Sequence, residues 1–277
     1  MRRAHVKAWV VGLIALAVSV IVFIVPFWFI LLTASKSASE AADLSLALPT
    51  QWQLFRNVVA VLGTGQGMVI RAFINSTTLT ICSVALMVVI AAAAGYVLQR
   101  RQSRWNLLIN FMVLAGLIVP PAVVPTIWVM QSIGIFKTMI GMIMIEVTFG
   151  LSFCILLFRA FVGTIPRELD EAAIVDGAGP LRLFFVVILP LLRPVMITVV
   201  VVQAVAVFND FTGPLYFLPG FGNETVQLTL YNFQSQTLNQ WNLLFSDILL
   251  ITIPPLVMYI FFNRQIVAGM ISGAVKG

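Results

Sequence analysis

The side chains able to act as bases, nucleophiles or metal ligands near neutral pH are ten acids, one histidine and two cysteines. His5 sits near the start of the chain, which removes most zinc and histidine-base chemistry. Cys82 and Cys154 lie in apolar runs and read as buried thiols rather than a disulfide or a metal site. Glu146, Asp210 and Asp247 fall in or beside long apolar stretches. In a bilayer such a central acid costs about 2.5 to 3.5 kcal/mol, so each should face a bundle interior or a wet cavity. Two roles are open to them: a solute pathway or gate, and plain interhelical hydrogen bonding. Acids of this kind also suit a proton-coupled secondary carrier. An intramembrane aspartyl protease would pair Asp210 with Asp247 around one shared proton. That chemistry lacks its glycine-flanked aspartate, because Asn209 and Phe211 flank Asp210. No G-x-x-x-x-G-K-[ST] phosphate loop occurs, so the chain cannot cradle ATP itself.

The elements that must hold these residues are membrane helices. Of 277 residues, 61% are apolar and 9% charged, with a mean hydropathy of +1.05. Soluble proteins carry about 25% charged residues, so this chain lacks the polar surface to be one. Crossing about 30 Å of hydrocarbon takes about 20 residues of helix. The charge-free stretches predict six spans, at about 9–33, 72–98, 105–130, 138–158, 195–218 and 243–262, in a single all-α domain covering 1–277. The first is much longer than a signal-peptide core and is read as an uncleaved helix. Of the 16 Lys and Arg residues, all but Lys36, Arg56, Arg71 and Lys137 fall on one side of this arrangement. The positive-inside rule makes that side cytoplasmic, with both termini there, and the net charge of +6 then reports membrane anchoring rather than nucleic acid. The outer segment at about 36–71 is expected to form short amphipathic helices. The loop at about 213–242, with Pro214, Pro219, Gly220, Gly222 and the lone charge Glu224, is expected to be irregular or re-entrant.

The most informative segment is the predicted cytoplasmic loop 159–194, where Arg159, Arg167, Glu168, Asp170, Glu171, Asp176, Arg182 and Arg193 concentrate. Pro166 suits a first helical turn, in which Glu168, Asp170 and Glu171 would offset the helix dipole. Gly177 supplies a stop, and the turn there is predicted to need a positive φ. A second helix starting at Pro180 would stack Leu181, Phe184, Phe185 and Ile188 on one face and end at Pro190 and Pro194. The first helix carries the small residues Ala172 and Ala173 beside acids. Acids are badly placed against an anionic inner leaflet, which favours a protein partner over lipid headgroups.

The run Glu171-Ala172-Ala173, then Gly177, then Ile188-Leu189-Pro190 resembles the EAA motif of ABC importer permease subunits of the carbohydrate-uptake type. Val187 stands where that family often has isoleucine. Pro26 through Ser35 and Lys36 is similar to the end of the first span in sugar permeases, and Ile165-Pro166-Arg167-Glu168-Leu169 to the lead-in of their loop. Asn209-Asp210-Phe211 with Pro214-Leu215 resembles the motif ending their fifth span, although Phe208 replaces the usual tryptophan. Gly273 through Gly277 is similar to the C-terminus of the six-span maltose-transporter-type subunit.

The resemblance implies a transport subunit rather than an enzyme, in a bacterial or archaeal cytoplasmic membrane. It implies a coupling helix that docks on a cytoplasmic ATPase through Glu171, Ala172, Ala173, Asp176 and Gly177, with Leu189 and Pro190 completing the motif. Lys276 and Gly277 would reach the ATPase interface, and Asn209, Asp210 and Glu146 would lie by the pathway or gate. The implied partners are a second permease subunit, two ATPase subunits that bind ATP and Mg, an external solute-binding protein, membrane lipid and a sugar or oligosaccharide; this chain itself would bind no cofactor. Trp28, Trp128, Tyr231 and Trp241 are available for sugar stacking, a role that competes with anchoring at the membrane interface.

Overall fold

The structure, a computed structural model, describes residues 2–236 and 240–274. Lys276 and Gly277 therefore lie outside the described residues. The fold is all-α among the described residues. The chain opens with α1 (Arg2–Ser35), the short α2 (Ala38–Ala42) and α3 (Leu54–Gly63), then α4 (Met68–Arg100). Next come α5 (Asn106–Ile118), α6 (Val123–Ser132) and α7 (Met139–Val162). Then follow α8 (Glu168–Val175), α9 (Pro180–Leu191), α10 (Arg193–Phe208), α11 (Thr212–Phe217), α12 (Val226–Gln236) and α13 (Trp241–Ala274). Among the described residues, four helices are long and apolar enough to cross a membrane, or up to six if the bent pairs α5–α6 and α9–α10 each count as one span.

Proline accounts for most departures from the sequence expectations. The helix expected over 105–130 is broken, and α5 meets α6 at 116°. Pro120 and Pro121 supply no N–H, and Val119, which precedes them, is forced to an extended ψ of 120°. The span expected over 195–218 is one helix only to Phe208; the chain kinks at Asn209 and resumes as α11. The second loop helix ends at Leu191, between Pro190 and Pro194, and meets α10 at 76°. Its middle, Leu183–Ile188, is π-helical. Pro190 cannot donate to the Val186 carbonyl, and a wider turn just before it absorbs the mismatch. The widened turn changes the register of the apolar face. Leu183, Phe184 and Ile188 are buried, whereas Leu181 and Phe185, expected on the same face, are exposed.

The chain forms two compact units. One comprises residues up to Ile70 together with Thr229–Ile253. Here the last carbonyls of α1, which have no partner within the helix, are claimed by side chains and loop amides. Asn57 Nδ2 donates to the Ala34 and Lys36 carbonyls, both at 2.8 Å, and Gln53 N donates to Ser35 O at 2.8 Å. Asn242 Nδ2 binds Asn57 Oδ1 at 3.0 Å, and Ser246 Oγ reaches Ala34 O at 3.2 Å. Lys36 is buried with its ammonium on Ser45 O at 2.6 Å, and the buried Asp247 accepts from Thr229 Oγ1 at 2.7 Å.

The other unit comprises Arg71–Leu228 with the part of α13 from Pro254. Its core gathers Met87, Ala91, Met142, Phe158, Ile188 and Val199 from α4, α7, α9 and α10, with Leu192 at the junction of the last two. Gly95 lets α4 and α7 touch: a Cβ there would sit 2.8 Å from Arg159 N. Glu224, read from the sequence as a lone loop charge, is buried; it accepts from Gly222 N, and its own carbonyl takes Asn75 Nδ2 at 2.9 Å. Cys154 is buried, but Cys82 is exposed on the surface of α4, because burial within one chain covers only part of an all-apolar helix.

Candidate functional site

The loop between α7 and α10 is built outward from two helix ends. Where α7 closes against α4, Arg159 donates to Gln99 Oε1 at 3.3 Å and to Asn110 Oδ1. The chain then turns through buried Ile165, whose carbonyl takes Arg100 Nη2 at 2.9 Å; Pro166 O takes the same nitrogen at 3.4 Å. Pro166 lies before the first turn rather than in it, since α8 starts at Glu168 with Arg167 as its cap. Glu168, Asp170 and Glu171 occupy that first turn. Glu168 and Glu171 are exposed, but Asp170 is buried. Tyr96 OH donates to Asp170 Oδ1 at 2.6 Å, and Arg100 Nη2 lies 2.9 Å from Asp170 Oδ2.

The other end of α8 closes through glycine. Gly177 adopts a φ of 80°, its N–H binds Ile174 O at 3.0 Å, and Ala178 N binds Ala173 O at 2.9 Å. This crossed pair of bonds is the Schellman closure, which satisfies carbonyls that the helix leaves open. Gly179 caps α9 and Pro180 occupies its first turn. The aromatic cluster Tyr96, Phe184 and Phe185 stacks behind, with ring centroids 5.8 and 5.0 Å apart. Ala173 is half-buried against this core, so α8 is mounted on one side.

The free side carries Glu171, Ala172, Ile174, Val175, Asp176 and Gly177, all exposed, Val175 to 87%. Of the residues singled out in the sequence, Glu171, Ala172, Asp176 and Gly177 thus share the outer end of α8, while Ala173 turns inward. Leu189 and Pro190 sit further along α9, half-buried and exposed. The sequence does not reveal the inner contacts of α8, Asp170 with Tyr96 and Arg100.

The pathway candidates form a second group. Asp210 bridges the break between α10 and α11: Oδ1 accepts from Thr212 N at 3.0 Å and Oδ2 from Gly213 N at 2.9 Å. A Cβ at Gly213 would fall 2.2 Å from Asp210 Oδ2, so only glycine permits this cap. Glu146 on α7 is 8% exposed, and its Oε1 has no hydrogen-bond partner. Asn209 turns elsewhere, donating to Val205 O at 2.9 Å and accepting from Gln227 Nε2 at 3.0 Å. Trp28, Trp128 and Tyr231 are exposed.

The family described as "Binding-protein-dependent transport system inner membrane component" matches residues 87–272. The chain is 28% identical over 288 residues to a melibiose/raffinose/stachyose import permease of Bacillus subtilis (strain 168), covering all of both chains. It is 29% identical over 270 residues to a multiple sugar-binding transport system permease of Streptococcus mutans, covering 95% of each. In fold it is similar to a chain of a bacterial ABC transporter that imports the acidic polysaccharide alginate, with a TM-score of 0.80, 17% identity, and coverage of 95% of this chain and 97% of that one.

Proposed function

The chain belongs to the binding-protein-dependent transport system inner membrane components, and from that premise we propose that it builds half of the translocation pathway for a sugar or oligosaccharide. It is a multi-pass membrane permease subunit of an ABC importer, not an enzyme. The partners that complete it in this reading are a second permease subunit, two ATPase subunits that hold ATP and Mg, and a solute-binding protein on the outer side. Both termini face the cytoplasm. The sugar assignment draws support from full-length similarity to permeases named for melibiose, raffinose and stachyose and for multiple sugars.

The observation that carries the coupling role is the one-sided mounting of α8. Glu171, Ala172 and Asp176 project from a helix whose other side is fixed by Asp170 and Ala173. A small, acidic, rigid surface suits docking in a cleft of an ATPase, with Gly177 setting the turn and Leu189 and Pro190 carrying the motion into α10. Lys276 and Gly277 supply a second contact at the ATPase interface. Glu146 and Asp210 belong to the pathway or its gate.

The test is reconstitution of the complete complex in proteoliposomes with its binding protein and a panel of solutes. Sugars or oligosaccharides should stimulate ATP hydrolysis and enter against a gradient. Uptake driven by a proton gradient without ATP would replace this reading with the secondary carrier.

A further inference from the structure

Asp170 is 9% exposed, and a buried carboxylate is costly unless its charge and lone pairs are met. Both of its oxygens are met from α4 alone, by residues one helical turn apart. Tyr96 OH donates to Oδ1 at 2.6 Å, and the Arg100 guanidinium stands 2.9 Å from Oδ2. The second contact is a charge contact rather than an aligned hydrogen bond, because Oδ2 receives no donor and Arg100 Nη2 donates to Ile165 O and Pro166 O. Arg100 thus grips the chain just before α8 while its charge holds α8 itself. The Tyr96 ring also packs on Phe184 of α9 at 5.8 Å. Nothing in this arrangement is needed to offset the helix dipole, which the exposed Glu168 and Glu171 already do.

We infer that Asp170, Tyr96 and Arg100 form a brace that makes α8 and the end of α4 move as one body, so that a displacement of α8 is delivered directly to the α4 span. The inference rests on the coupling role given to α8 above. All three are positioning residues: they touch neither ATP nor solute, and they act by fixing the angle at which α8 meets its partner. The hydroxyl bond and the charge contact are separable, since Tyr96→Phe removes only the first and Asp170→Asn weakens the second while keeping an acceptor for Tyr96.

The experiment uses the complete importer in proteoliposomes and reads three quantities: ATPase retained, ATP hydrolysed, and solute taken up per ATP. Tyr96→Phe and Asp170→Asn should retain the ATPase and hydrolyse ATP, with uptake per ATP reduced several-fold. Arg100→Gln combined with Asp170→Asn should be no worse than the greater single loss, because contacting partners are non-additive. Glu171→Lys serves as the docking variant and should lose ATPase instead. An unchanged uptake per ATP in Tyr96→Phe and Asp170→Asn, with Glu171→Lys impaired, overturns the brace alone. So does a reduced yield of complex whose uptake per ATP is normal, which marks a purely structural role. If Glu171→Lys also binds ATPase and transports normally, the docking role of α8 falls and the brace falls with it.

Discussion

Ala172→Trp and Ala173→Trp are expected to fail differently, although the two residues are adjacent. Ala173 packs against the core, so a tryptophan there overfills the subunit itself, at about 1 to 3 kcal/mol. Ala172 is exposed, and a tryptophan there should leave thermal stability alone while abolishing capture of the ATPase. Thermal unfolding of the purified subunit beside an ATPase pull-down separates the two. At Gly177 a Cβ would meet no atom within 4 Å, so only its φ of 80° penalises substitution. The left-handed region costs an ordinary residue about 1 to 2 kcal/mol, less for asparagine and more for a β-branched side chain. Uptake per ATP should therefore fall from glycine to Gly177→Asn to Gly177→Val. The glycine's role was legible in the sequence because a helix pattern ended on it. The inward turn of Ala173 and the burial of Asp170 were not. The Asp170 contact is with Tyr96, 74 residues away in the chain, and no local pattern encodes it.

At the scale of elements, what hydropathy locates well it does not shape. The charge-free runs mark where apolar helix lies, but Pro120, Pro121 and Pro190 decide whether it stays straight, and a hydropathy average over a long window does not register the backbone break that one proline forces. The small α2 shows the opposite case, an element set by polar chemistry. Ser37 and Glu40 form a capping box, and the Glu40 carboxylate also accepts from Thr50 N at 3.1 Å and from the Thr50 hydroxyl. The Thr50 hydroxyl, then the Thr50 and Ser37 amides, hold its pKa down from 4.5 to about 2. A depressed carboxylate stabilises only when ionised, so the tie between α2 and Thr50 is complete above pH 4.5 and weakens as the pH falls toward 2. Hydrogen-exchange protection at Thr50, corrected for intrinsic rates, should drop over that window. In Glu40→Gln, whose amide oxygen still accepts but carries no titrating charge, protection should not change with pH over this window; protection in the native chain that does not change across the window would refute the tie.

For the whole molecule, the deciding question is whether the α5–α6 pair crosses the bilayer. Its 116° bend suits either a broken span or a re-entrant loop, and the two differ in which face carries α8. Arg100, Arg101 and Arg104 precede the pair, whereas only Lys137 stands between it and α7. Under the positive-inside rule that asymmetry places the two ends of the pair on opposite faces. Between Arg56, exposed on α3, and Val175, exposed on α8, the chain order puts α4, the pair and α7, so three crossings predict that the two residues are labelled from opposite faces. A re-entrant pair would leave them on the same side. Glu224 cannot serve as the outer marker, since it is buried and bonded to Gly222. Single cysteines at Arg56 and Val175, in a chain with Cys82 and Cys154 replaced, should react with an impermeant maleimide from opposite faces of sealed vesicles. Bound ATPase should then shield only Val175, because a helix on the outer face has no access to the subunit it is proposed to carry.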